Sequence, residues 1–283
     1  MRQEQERLQL AEVPFFAQEE YQCGPAALAM LLAWNGADVV LPQLVEQVYS
    51  PTLKGSLQPS IVAAARRQGY LAYPLSGWSS LVAELEGGQP VMILQNLGLS
   101  WYPQWHYAVV IGYDQGAGTL TLHSGVYPKM KMRMGVFERT WRRGDYWALV
   151  VVPPDVLPAS ATENAYLAAV VGLERALQLS AATVAYMTAI KTWPNSVVAW
   201  MGVGNSSYQV GDMSTALRAF RQAAVLQPDN GMPLNNLALV LAELGQRAEA
   251  LAAIDKAINL GGELKGTYQQ TREKIVAGTT PVE

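Results

Sequence analysis

The sequence predicts two domains of different class, an α+β domain over residues 13–152 and an all-α solenoid of helical repeats over residues 163–283. Three observations carry this. In the second half, small and aromatic residues recur every 34 positions. In the first half, apolar runs of helical length come early and short strand-like runs come late. Between the halves, PPDVLPASAT at 153–162 closes a valine-rich run with prolines and small polar residues and reads as a linker. A chain of 283 residues, half of them apolar, has the length and the core material for two domains.

In the first domain, which follows a polar N-terminal tail at 1–12, the apolar run after Cys23 predicts a helix over 23–34, stopped by Asn35-Gly36. Helical segments follow near 41–49 and 56–68, then a strand near 70–74 and a short helix near 79–86. Strands are expected at 90–96, 106–114, 119–124 and 145–152. KMKMRM at 129–134 alternates cation and methionine, the pattern of an amphipathic strand with Met130, Met132 and Met134 facing inward.

In the second domain the columns are Tyr166/Trp200/Leu234, Val170/Gly204/Ala238, Ala182/Ala216/Ala250, Tyr186/Phe220/Ile254, Ala189/Ala223/Ala257 and Pro194/Pro228. Alanines let two helices approach closely, an aromatic fills the gap between units, and proline ends each unit. Gly211 and Gly245 mark the turn inside the second and third units, where the first has Leu177. Register and period resemble the tetratricopeptide repeat, a helix–turn–helix of 34 residues. The resemblance implies units at 163–196, 197–230 and 231–264 and a capping helix near 263–276.

Charge excludes one class of partner. Residues 1–162 carry 11 Lys/Arg against 13 Asp/Glu and residues 163–283 carry 9 against 10, so no basic footprint for a nucleic acid is present. One cysteine permits no internal disulfide, and one thiol with two histidines gives no recognised zinc spacing, so no metal is expected. No apolar run reaches the roughly 18–20 residues of a membrane span, so no transmembrane segment is expected. The polar opening MRQEQERLQLAE does not read as a signal peptide. The compartment stays open between a soluble chain and one exported, periplasmic or tethered after removal of a leader.

The lone cysteine is the strongest pointer to chemistry. AALAMLLAW after Cys23 is apolar on every face, which marks a helix buried all round. Pro25 suits the first turn of that helix and places Cys23 at or beside its N-cap, under the positive end of the helix dipole. Such a position is expected to lower a thiol's pKa, which points to a nucleophile. The second element is His106, which opens the apolar strand HYAVVIGY.

QCGPAALAMLL at a helix start, with WHYAVVIGYD opening a strand 83 residues beyond Cys23, resembles the bacteriocin-processing, double-glycine-leader peptidases, which are papain-like cysteine peptidases. The resemblance covers roughly residues 13–152 and implies a papain-like fold without metal or organic cofactor. It implies Cys23 as nucleophile and His106 as general base. The best-known members are fused to an ABC transporter, whereas this chain has no G-x-x-x-x-G-K-[ST] loop and resembles the stand-alone type.

Two departures from the family pattern define the open points. Where the family has an aspartate to orient the histidine, LTLHSG places Ser124. If Tyr113 faces Thr119 across the hairpin, the partner of His106 falls between His123 and Val126. His123 and Ser124 alternate in face, so only one of them faces His106. Asn96 is a second neutral candidate. Asp114 lies eight residues along the strand, about 26 Å away, and reads as a turn residue. The family's oxyanion glutamine stands six residues before the cysteine; here that position is Ala17, and Gln18 is the nearest candidate. A one-residue deletion within EEYQ would restore the geometry, and Gln22, adjacent to the nucleophile, is the poorer choice. The second donor is the Cys23 amide. Trp101, Tyr102 and Trp105 precede the base and are placed to shape a substrate subsite.

The expected activity is a cysteine peptidase on a peptide or protein substrate, with the repeats recruiting substrate or a protein partner. Two further readings stay open: an inactive peptidase-like scaffold, and a Cys-His amidase or acyltransferase.

Overall fold

The computed structural model describes residues 6–18 and 22–278. The chain divides into two compact units, Met1–Ala176 and Leu177–Glu283. The first contains β1 (Arg7–Gln9), α1 (Cys23–Trp34), α2 (Leu41–Val48), β2 (Tyr49–Ser50), β3 (Gly55–Ser56), α3 (Gln58–Arg67), β4 (Leu71–Ser76), α4 (Trp78–Glu86), β5 (Val91–Asn96), β6 (Trp105–Asp114), β7 (Thr119–Ser124), β8 (Tyr127–Arg133), α5 (Met134–Arg142), β9 (Trp147–Val152) and α6 (Glu163–Arg175). The second contains α7 (Leu179–Thr192), α8 (Val197–Gln209), α9 (Met213–Leu226), α10 (Gly231–Glu243), α11 (Arg247–Leu260) and α12 (Lys265–Ala277). No described helix is long and apolar enough to cross a membrane.

The first unit is an antiparallel sheet in the order β4-β9-β5-β6-β7-β8, with β1 added to β6. Alternate residues of β5 and β6 face opposite ways. Met92, Leu94, Tyr107, Val109 and Ile111 join α1 in one core, where Leu28, Leu31 and Leu32 are buried. The other face receives α5, whose Thr140 takes a 2.6 Å hydrogen bond from the buried Gln95 amide. The all-round apolar character of 23–34 therefore has its expected cause: residues 24–32 are all buried.

Several expectations are corrected. Within the stretch 1–12, which the sequence predicts to be a tail, Arg7–Gln9 pair with Gly112–Asp114. A Cβ at Gly112 would stand 2.3 Å from the Leu8 carbonyl oxygen, so glycine is what lets β1 approach. The third helix starts at Gln58, because Ser56 pairs with Tyr49 in a two-residue ladder. The last strand starts at Trp147, because Asp145 and Tyr146 are left-handed at φ 54° and 53° and cannot be extended. Helix α5 was not anticipated, although Phe137, Thr140 and Trp141 are buried at helical spacing. The alternation of 129–134 holds, with Met130 and Met132 half-buried and Lys129, Lys131 and Arg133 exposed; Met134 already begins α5.

The stretch 153–162 is fastened to the first unit. The buried Glu84 carboxylate accepts from the Ala159 amide at 3.1 Å, the Ser160 amide at 2.7 Å and the Ser160 hydroxyl at 2.6 Å. Helix α6, read from sequence as the start of the first repeat, falls inside this unit and lies against β4 and α3.

From α6 onward the helices keep the 34-residue period in their boundaries. One set begins at 163, 197, 231 and 265, the other at 179, 213 and 247. Ala182, Ala216 and Ala250 are fully buried, as are Ala189, Ala223 and Ala257. Helix α8 has glycine where aromatics press in: a Cβ at Gly202 would lie 2.5 Å from the Tyr186 ring, and one at Gly204 2.4 Å from the Phe220 ring. The three turn positions read from the period are all left-handed, at φ 58° for Leu177, 83° for Gly211 and 75° for Gly245. Helix α12 occupies the segment expected to cap the stack.

Candidate active site

Cys23 is the first residue of α1 and is partly buried. The backbone amides of Tyr107, Gly24 and Cys23 itself lie near the thiol and draw its pKa down. Tyr107 follows His106 at the start of β6, so the helix start and the strand start meet at that backbone. Helix-start position alone predicts a depressed thiol pKa. In the fold, burial is the largest influence and pushes the thiol up, outweighing the three amides that draw it down. Burial also pushes the His106 imidazole down. Both shifts favour the uncharged forms, the thiol and the neutral imidazole.

His106 Nε2 lies 2.9 Å from Ser124 Oγ. The structure thus brings Ser124 to the imidazole as the sequence alignment of LTLHSG suggested. The route differs in detail. Tyr113 faces Leu120 rather than Thr119, and a register shift between Val110 and Gly112 returns the ladder to the pairing Val109 with His123. Ser124 is 8 % exposed and turns to the opposite face from His123.

His123 has a structural position. It is buried, with Nε2 3.1 Å from the Val13 carbonyl oxygen and Nδ1 accepting from the Lys129 amide at 3.1 Å. Its ring is tilted against Phe15 at 5.2 Å. Burial pushes its pKa down, and its hydrogen bonds fit the neutral ring protonated on Nε2. It ties the segment before the nucleophile to β7 and β8.

Asn96 is engaged elsewhere. Its Oδ1 accepts from the Gly98 and Gln104 amides, both at 2.9 Å, and so shapes the loop between β5 and β6. In the ladder Asn96 faces Trp105, while Gln95 faces His106. Asp114 is a turn residue, accepting from the Ala117 amide at 2.8 Å and lying 3.7 Å from Arg7.

Gln18 reaches the same corner. Its Nε2 donates to the Tyr107 carbonyl at 3.4 Å, its Oε1 accepts from the Gly125 amide at 3.1 Å, and its own amide donates to the Gly125 carbonyl at 3.2 Å. The side chain therefore spans from the residue after His106 to the residue after Ser124. One hydrogen of its amide group remains for another acceptor. Residues 19–21, which hold most of the EEYQ stretch, lie outside the described residues.

Trp101 and Tyr102, in the loop that leads into β6, and Trp105, its first residue, are 80 %, 64 % and 54 % exposed. Val126 and Tyr127, in the turn after Ser124, are exposed at the same end of the sheet. Sequence reasoning missed Tyr107 and Ser56. Tyr107 is the one aromatic between His106 and Tyr113 in an aliphatic strand, which was the available signal.

The N-terminal domain matches the Peptidase_C39 like family over residues 10–146. Among solved structures, the chain is similar to a protein from Bacillus anthracis described as a C39-like peptidase, at 20 % identity over 52 % of this chain and 98 % of that one, with a TM-score of 0.45. It is also similar to the peptidase domain of Streptococcus ComA, a bi-functional ABC transporter involved in quorum sensing, at 20 % identity over 50 % and 99 % with a TM-score of 0.42. A double-glycine-motif protease from an AMS/PCAT transporter, solved with its leader peptide, is 24 % identical over 50 % and 91 %, with a TM-score of 0.39. Among curated proteins no significant match is found.

Proposed function

We propose that residues 13–152 form a cysteine peptidase domain with Cys23 as nucleophile, His106 as general base, Ser124 as the group that orients the imidazole and Gln18 as an oxyanion donor. The observation that supports it is convergence. Four side chains from four separate segments gather around the Tyr107 backbone and the end of β7.

When His106 donates from Nε2 to Ser124, its Nδ1 lone pair is available for the thiol proton. Because burial favours the neutral thiol and the neutral imidazole, proton transfer accompanies attack in this reading. The sulfur adds to the peptide carbonyl, and the oxyanion is held by the Cys23 amide and the remaining hydrogen of Gln18. His106 then gives its proton to the leaving amine, and water hydrolyses the thioester. Ser124 keeps the imidazole's direction but adds no negative charge to stabilise the imidazolium.

The substrate class is a peptide or protein, cleaved by analogy after a pair of small residues. The 34-residue helical period supports tetratricopeptide repeats at 163–196, 197–230 and 231–264, which would recruit substrate or a protein partner.

Cleavage of double-glycine peptides by the full chain tests the reading. Wild type is expected to cleave, and Cys23→Ala is expected to lose all activity. Cleavage that survives in Cys23→Ala would sink it. One observation favours a second reading, an inactive peptidase-like scaffold: hydroxyl replaces carboxylate beside a base that burial already disfavours as a cation. Absence of turnover in wild type, with the thiol still alkylatable, would select it. An added amine captured in the product would instead mark an amidase or acyltransferase.

A further inference from the structure

Tyr107 follows His106 and meets both Cys23 and Gln18 through its backbone, and only one of its contacts depends on its being tyrosine. Its amide reaches the Cys23 thiol and its carbonyl accepts from Gln18, as any residue's backbone there would. Its phenol, 3 % exposed, donates to the Ser56 carbonyl at 3.1 Å, and its ring meets Trp147 edge-on at 5.8 Å.

Ser56 matters because of where its side chain rests. A Cβ on residue 24 would stand 2.6 Å from both Cβ and Oγ of Ser56, so the first turn of α1 is seated directly on this serine. The Ser56 hydroxyl is buried with no hydrogen-bond partner among the described residues, which makes the contact with Gly24 one of shape rather than bonding. The strand carrying Ser56 is held by a ladder of two residue pairs, Tyr49 with Ser56 and Ser50 with Gly55. So short a ladder gives the segment little rigidity of its own. The phenol fixes it from the sheet side.

We propose that the Tyr107 phenol is a positioning group for the nucleophile: by holding Ser56 against Gly24 it fixes the start of α1, and with it Cys23, on the first residues of β6. This inference rests on Cys23 being the reacting thiol, but it is read on the thiol itself and not on turnover.

The test is the pH dependence of Cys23 alkylation by iodoacetamide in the full chain, measured well below the melting transition, for wild type, Tyr107→Phe and Tyr113→Phe. Tyr113 is the control: a buried tyrosine on the same strand whose hydroxyl is also bonded, to Glu86 at 3.0 Å, but at the far end. Loss of the Tyr107 hydroxyl frees Ser56 and lets water reach a thiol whose pKa is held up mainly by burial. The alkylation midpoint should fall by about half a pH unit, with roughly threefold faster reaction near pH 8, while Tyr113→Phe follows wild type. Peptide cleavage by Tyr107→Phe should fall at the same time, because a more ionised thiol is no longer held in place. A Tyr107→Phe profile that superimposes on wild type overturns the inference. If that variant does not fold, Gly24→Ala presses on the same contact from the helix side, and an unchanged profile there overturns it equally. A wild-type chain without turnover would sink the peptidase reading and leave this one to the alkylation profiles.

Discussion

The helices of Leu177–Glu283 are built from neighbours in sequence, whereas the Cys23 corner of Met1–Ala176 gathers residues 18, 23, 56, 106 and 124 from five segments. In the helical unit each role is filled several times: three alanines at one depth, three glycines facing the rings of Tyr186, Phe220 and Tyr268, three left-handed turns at the spacing of the period. In the corner each role is filled once. Redundancy distributes stability, so a lesion in the repeats should be read in melting and not in chemistry. Convergence concentrates function, so a lesion in the corner should be read in chemistry with little change in melting.

The largest effect that would sharpen this contrast is Gln18→Ala. Loss of an oxyanion donor should lower kcat by about 10²–10³-fold, with only a small change in Tm. Turnover within a few-fold of wild type would reduce Gln18 to a strap between Tyr107 and Gly125. Next is Gly204→Ala. Its Cβ meets the Phe220 ring at 2.4 Å and should cost about 1–3 kcal/mol in unfolding free energy, with peptide cleavage unchanged at temperatures below melting. A loss of cleavage without loss of stability would break the division of labour.

Smaller again is Ser124→Asp. A carboxylate beside the imidazole should raise the His106 pKa from its burial-lowered position, favour the imidazolium–thiolate pair, and speed Cys23 alkylation at pH 7 by roughly tenfold. A profile that does not move would mean residue 124 does not control the charge state of the pair. Smallest is Leu177→Gly. Leucine at φ 58°, 82 % exposed, occupies a turn where the other two units have glycine, and removing its Cβ should stabilise the chain by about 1 kcal/mol or less. A lower Tm would show that the leucine side chain contributes more than its backbone strain costs.

Legibility followed the same division. The period of 34 placed the helices because each boundary is set by local pattern: buried alanines, a left-handed turn, a proline near the end. The apolar run after Cys23 and the strand opened by His106 were legible for the same reason. Strand β1 was not, since RLQ carries no strand pattern and is held by its contact with Gly112. The linker looked free because prolines and small residues say nothing of the distant Glu84 that fastens it. Ser124 was found only by laying one strand on another, and the register slipped by one residue and was restored by the irregularity at 110–112, which no pairwise count predicts.

The sequence by itself determined that a single thiol begins a fully apolar helix, that a histidine opens an apolar strand, and that helices recur every 34 residues. These are properties of adjacent residues, and local sterics and hydrophobic periodicity are enough to set them. Tertiary structure decided the chemistry of the thiol. Position at a helix start argues for a lowered pKa, but burial outweighs the amides near the sulfur and pushes the Cys23 thiol up, as it pushes the His106 imidazole down. Desolvation is a property of everything packed around a group, and no stretch of chain around residue 23 encodes it alone.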